Sequence, residues 1–182
     1  MKLYVMRHGP AADDSPSGRD ADRALTPQGR ERVAAVAKAM LDEGEAPFTI
    51  LTSPLVRAVE TAEIVSEVTN LPRRAREDEK AKLGGATGGI EVRRELGMGV
   101  EKLALLAELV RAGRKRVMIV GHEPDLGMLV MSLVGPVLPG GGMQKAMVVG
   151  VKLMSDPGVA GLEFRSKLRF VLDPKHLSWQ RN

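Results

Sequence analysis

Cysteine is absent from the chain. That excludes disulfides, thiolate zinc sites, iron–sulfur clusters and every cysteine-nucleophile mechanism, leaving oxygen and nitrogen as the available nucleophiles. Aromatic residues are scarce at 3%, too few for the stacking platforms that hold single-stranded nucleic acid. The charge imbalance is small as well. Twenty-seven Lys and Arg against 23 Asp and Glu give a net charge of +4, and the pI of 9.6 does not by itself ask for a nucleic-acid partner. Long apolar runs are also missing. Leu3–Met6 is closed by Arg7 and His8, far short of a signal-peptide core, and the stretch from Gly127 to Leu138 is short and broken by Gly and Pro. No membrane partner is expected, and a cytoplasmic location is.

What is present is enough to build a core. With 182 residues, 43% of them hydrophobic, one domain spanning residues 1–182 is expected. Leu3–Met6 reads as a buried strand ending in Arg7-His8-Gly9-Pro10. After a loop to Leu25, Thr26 caps and Pro27 opens a helix carrying Val33, Val36, Ala37, Met40 and Leu41, stopped near Gly44. Phe48–Leu51 is a second strand, followed by a helix with Leu55, Val59, Ala62 and Ser66 on one side. Residues 73–99, charged and then Gly-rich, read as a surface excursion, and Gly84 to Gly99 could fold over the site as a lid. A third helix has a stripe of Leu103, Leu106, Ala107 and Val110. The third buried strand, Val117–Val120, is closed by Gly121-His122-Glu123-Pro124, and its helix carries Leu126, Leu129, Val130, Leu133 and Val134. Ala146–Leu153 and Leu162–Leu172 are the last strands, the latter alternating as an edge strand does. Repeated strand–helix units predict a three-layer α/β/α sandwich with a mostly parallel sheet and an antiparallel edge strand. The Gly-rich stretches match neither the GxGxxG nor the GK[ST] phosphate loop.

In such a sheet, ligands bind beyond the carboxyl ends of the strands, where helix N-termini also point their N–H groups. Arg7-His8-Gly9, Ser53-Pro54 with Arg57, and Gly121-His122-Glu123 all fall there. Two guanidiniums can grip phosphate oxygens in bidentate fashion. A histidine among those cations is held neutral and free to attack phosphorus, while a second can donate to the equatorial oxygens. Two histidines also suit a metal, but no HxH, HExxH or acidic cluster accompanies them beyond Glu123 and Asp125, so no metal is expected. A serine hydrolase built on Ser53 lacks the GxSxG elbow, and Ser53 before Pro54 reads as a helix cap. His176 reads as a surface residue.

Arg7-His8-Gly9 after the first strand, Ser53-Pro54-Leu55-Val56-Arg57-Ala58 with Thr61-Ala62, and Gly121-His122 after a late strand together resemble the signature of the histidine phosphatase superfamily, which has the phosphoglycerate-mutase-like fold. Arg23-Ala24-Leu25-Thr26-Pro27-Gln28-Gly29 and Gly121-His122-Glu123-Pro124-Asp125-Leu126 are similar to the small bacterial phosphohistidine phosphatases, and the match covers most of residues 1 to 154. The resemblance implies that His8 forms a phosphohistidine enzyme, that Arg7, Arg57 and His122 hold the phosphoryl oxygens, and that water then releases phosphate without metal or cofactor. It also places Arg23 near the phosphate, with Gly9, Ser53 and Glu123 completing the substrate pocket.

The chain departs from that pattern in two places. Pro10 stands where many members have a glutamate after the RHG motif, and no residue maps onto the carboxylic acid that protonates an ester leaving group. Glu91, Asp78 and Glu79 are candidates for it. A labile P–N bond needs less acid assistance than an ester, so a phosphohistidine-bearing signalling or phosphocarrier protein is the expected substrate. A small phosphate ester of the same superfamily is the alternative, and a phosphoprotein-binding module without turnover is the third reading.

Overall fold

The computed structural model describes residues 1–73, 89–156 and 164–181. Its centre is a seven-stranded sheet in the order β3-β2-β4-β1-β5-β6-β7. β1 (Lys2–Arg7) leads through α1 (Pro27–Asp42) to β2 (Thr49–Thr52), and α2 (Val56–Val68) leads on to β3 (Gly89–Val92). α3 (Leu103–Arg111) precedes β4 (Arg116–Gly121), and α4 (Asp125–Val134) precedes β5 (Val148–Ser155), β6 (Phe164–Leu172) and β7 (Trp179–Arg181). β3, β2, β4 and β1 pair in parallel, whereas β5, β6 and β7 each join by antiparallel pairing.

The central strands are apolar on both sides because both sides are covered. In β1, Leu3 and Val5 enter one core cluster, with Leu105, Leu106 and Leu109 of α3 and Leu126, Leu129 and Val130 of α4. Tyr4 and Met6 enter the other, with Val33, Val36, Ala37 and Met40 of α1 and Ala58, Ala62 and Val65 of α2. Each fully buried Leu or Val contributes about 1.5–3 kcal/mol. The three layers are thus α1 and α2, the sheet, and α3 and α4.

Several expectations need correction. The single antiparallel edge strand is a set of three, and β7 covers the end of β6 from Phe170 to Leu172. Residues 89–96 are not a surface excursion: β3 extends the parallel sheet, and Leu96 just beyond it is fully buried. The buried face of α2 is Ala58, Thr61, Ala62 and Val65 rather than Leu55, Val59 and Ser66; on α3 Leu106 is buried as expected, Leu105 and Leu109 join it, and Leu103, Ala107 and Val110 pack partly buried against the same core. Apolar residues ring both helices, and the sheet selects which side is covered. Gly84, Asp78 and Glu79 lie outside the described residues.

Candidate active site

The parallel register brings the motif residues together. Arg7 sits opposite Gly121 and Thr52 opposite Val120, so the carboxyl ends of β2, β4 and β1 are level. The pairing continues one residue further, His8 N–H donating to Gly121 O at 3.1 Å and Ser53 N–H to Val120 O at 3.0 Å. His8, Ser53 and His122 therefore leave neighbouring strands at one height, and all three are buried.

His8 has a fixed tautomer. Its Nδ1–H donates to the Gly9 carbonyl at 2.7 Å, which leaves the Nε2 lone pair free. Burial pushes its pKa from 6.5 down to about 3; the Gly9 bond opposes that, while His122, Arg57 and Arg7 add to it. The ring is therefore neutral at pH 7. Gly9 cannot be replaced without movement, since a Cβ there would lie 2.6 Å from Val33 Cγ2. Its N–H donates to Thr61 Oγ1 at 3.1 Å, and the Thr61 hydroxyl donates to Arg57 O at 2.7 Å, tying the His8–Gly9 turn to α2.

The His122 ring centroid is 5.1 Å from that of His8. Burial, then Arg57, lowers its pKa to about 4. A neutral ring can accept from the Ser53 hydroxyl through Nε2 at 2.8 Å, leaving buried Nδ1–H with no partner among the described residues. Ser53 is thus not the cap of α2, whose N-cap is Leu55 without a side-chain cap bond; it orients His122.

Two guanidiniums act on this pair, and a third is joined to them through Asp20. Arg7 is anchored by its Nη1 donating to Met143 O at 2.7 Å, and burial lowers its pKa. Arg57, almost wholly buried, donates from Nη1 to Asp20 O at 2.8 Å and from Nη2 to Asp20 Oδ2 at 3.0 Å. Arg23 Nε lies 2.9 Å from Asp20 Oδ1. The Nε atoms of Arg7 and Arg57 are buried without a hydrogen-bond partner among the described residues, and the buried Arg23 Nε has only its ion pair with Asp20. Arg7 Nε, Arg57 Nε and His122 Nδ1, buried donors left open near a neutral imidazole, suit a tetrahedral oxyanion, because an unsatisfied buried donor costs about 1–3 kcal/mol and an anion accepts from several at once.

Two carboxylates adjoin the pocket. Glu123 Oε1 accepts from Met143 N at 2.9 Å, the residue whose carbonyl anchors Arg7, and its charge acts on Arg7. Asp20, in a short 3-10 turn (Asp20–Asp22), is the site residue that sequence reasoning missed; its one signal is an acid three positions before Arg23. The Arg57 hydrogen bond lowers the Asp20 pKa, with Arg23 and His122 acting in the same direction. Glu91, a candidate acid, lies on β3 with its carboxylate paired to Arg114 at 3.2 Å. Arg114 precedes β4 and also donates to Thr49 at the start of β2, so Glu91 is turned toward the amino ends of the strands. His176 is exposed as expected.

Comparison with known proteins bears on this geometry. The family model described as histidine phosphatase superfamily (branch 1) matches residues 3–82. An uncharacterized protein of Picosynechococcus sp. is 38% identical over 130 residues, 70% of this chain and 69% of its own length. The phosphohistidine phosphatase SixA of Escherichia coli is 30% identical over 133 residues, 73% of this chain and 74% of its own. The solved structure of the protein histidine phosphatase SixA complexed with tungstate has the same fold, with a TM-score of 0.76 over 98% of this chain and 100% of that one at 24% identity. Among the described residues, no helix is long and apolar enough to cross a membrane.

Proposed function

The chain belongs to the histidine phosphatase superfamily and is a phosphatase, and from that premise we propose that its substrate is phosphohistidine carried by a cytoplasmic signalling or phosphocarrier protein. One observation carries the choice of substrate. The described carboxylates around the pocket are all held as acceptors, Asp20 by Arg57 and Arg23, Glu123 by the Met143 amide, and Asp125, whose charge reaches His122, by Lys102 and the Gly99 amide, which argues against a proton donor for an alkoxide. An ester leaving group needs that proton, whereas a phosphohistidine whose other ring nitrogen is protonated leaves as neutral imidazole.

In the first step His8 Nε2 forms a bond to phosphorus as the P–N bond of the donor breaks. Arg7 and Arg57 take the phosphoryl charge through their open Nε–H groups, Arg23 through the Nη groups that Asp20 leaves free, and His122 Nδ1–H donates to an equatorial oxygen. Water then attacks phosphorus, the bond to His8 Nε2 breaks, inorganic phosphate leaves, and His8 returns to the neutral ring held by Gly9 O. No step is assigned to a metal. The similarity to a named phosphohistidine phosphatase supports this reading.

The test is phosphate release, with EDTA present, from a phosphohistidyl protein and from p-nitrophenyl phosphate, by the wild type and His8→Ala. A His8-dependent preference for the phosphohistidyl protein is expected. Preference for the ester would require a proton donor other than Asp20, Glu123 and Asp125, and would overturn the choice of substrate.

A further inference from the structure

Arg57 and Arg23 come from very different places. Arg57 is on α2, rigid and buried, whereas Arg23 is on the loop between β1 and α1. That loop is closed at its base, where Ala12 N–H donates to Ala24 O at 2.9 Å and Ala11 bridges Leu25. Nearer its tip, Ser15, Ser17, Arg19 and Asp22 bond among themselves at the surface. The contact that joins the tip to α2 is Asp20, whose carbonyl and carboxylate both accept from Arg57.

We propose that Asp20 is a positioning residue for phosphoryl binding: its carboxylate spans Arg57 and Arg23 and turns two guanidiniums from separate elements into one anion clamp. The division of nitrogens carries this. Asp20 takes Nη1 and Nη2 of Arg57 and leaves Arg57 Nε, an open buried donor, for the phosphoryl group. Its other oxygen, Oδ1, stands at Arg23 Nε and leaves the two Nη groups of Arg23 uncommitted to Asp20. A carboxylate can serve both arginines because it has two oxygens that accept; an amide has one. Fixing both cations before the anion arrives removes the cost of ordering a long, rotamer-rich side chain on a surface loop.

The rival role for the same carboxylate is a stand-in anion that competes with phosphate. The two roles predict opposite signs. A positioning residue strengthens anion binding, so its removal weakens it, whereas removal of a competitor tightens it. The proposal rests on the phosphatase chemistry of the site but not on which phosphoryl donor is used.

The experiment is calorimetric binding of inorganic phosphate, together with kcat and KM on p-nitrophenyl phosphate, for the wild type, Asp20→Asn, Asp20→Ala, Arg23→Ala and the double variant Asp20→Ala/Arg23→Ala. Asp20→Ala is expected to weaken phosphate binding about tenfold, about the loss of one charge-assisted hydrogen bond. Asp20→Asn, which keeps one accepting oxygen, is expected to fall between it and the wild type. The double variant is expected to be no more than about twofold worse than Arg23→Ala, since Asp20 acts partly through Arg23. Full additivity of the two single losses, which a general effect on folding would give, overturns the proposal, as does tighter phosphate binding by either Asp20 variant.

Discussion

His8 and His122 owe their state to burial inside a ring of arginines. Both pKa values lie far below 6.5, at about 3 and about 4, so both rings stay neutral through the physiological range. In the free enzyme, kcat/KM should therefore hold level as pH falls from 7 to about 5 and decline only near 4; a limb centred at 6.5 would show ordinary solvated histidines. Removing the nucleophile in His8→Ala should lower turnover by about a thousandfold or more. Ser53→Ala should cost about tenfold in kcat with little change in KM, since it frees the ring of His122 rather than deleting a phosphate ligand. Arg7, His8, Arg57 and His122 were legible because each follows an apolar run or sits one turn into the next helix, and topology gathers strand ends. Asp20 was not, because an acid in an irregular loop has no periodicity to give it a direction. Ser53 was placed correctly but read as a cap, since Ser before Pro looks the same in sequence whichever partner its hydroxyl finds.

Among the elements, β1, β2 and β4 were readable as short apolar runs with abrupt polar ends, and α1 from its Thr26 cap, whose hydroxyl does accept from Gly29 N at 2.9 Å. β3 and β7 escaped because Gly89–Val92 and Trp179–Arg181 are short edge strands whose pairing comes from the neighbouring strand rather than from pattern. Thr61 shows how an element serves the site: one hydroxyl ties the Gly9 amide to the Arg57 carbonyl inside the interface of α2 with the nucleophile loop. Thr61→Val, similar in size, leaves both groups unpaired and should destabilise the fold by about 1–3 kcal/mol in chemical denaturation while also slowing turnover. At the opposite end of the sheet, Glu45 accepts from Tyr4 of β1 at 2.9 Å and from Arg169 of β6 at 2.6 Å and 2.8 Å. Glu45→Ala strands Arg169 and Tyr4 and should cost about 3 kcal/mol, measured the same way.

For the whole molecule, the buried ionisable groups set how stability responds to acid. The folded chain keeps His8 and His122 unprotonated down to about 3 and 4, while in the unfolded chain they take up protons near 6.5. The unfolded state thus binds more protons in that interval, and stability falls as pH drops from about 6.5 toward 4. Burial raises the Glu45 pKa, but Arg169, Tyr4 and Lys2 outweigh it and hold the value at about 2 against an ordinary 4.5; its contribution is present above 4.5 and lost as pH falls toward 2. Denaturation midpoints recorded from pH 7 to pH 4 should decline, and less steeply in His122→Ala than in the wild type. The layered architecture with an antiparallel edge was legible from alternating strands and helices and from the alternation in β6, but the extension of that edge to three strands was not, because β5 carries no mark of direction and β7 is only three residues long. The central proposal is that His8 accepts a phosphoryl group from a phosphohistidyl protein. The most direct measurement is rapid mixing of enzyme with a 32P-phosphohistidyl protein, an alkaline quench and peptide mapping of the label. The account predicts transient label on His8 in the wild type and none on the enzyme in His8→Ala; label on another residue, or undiminished phosphate release by His8→Ala, would contradict it.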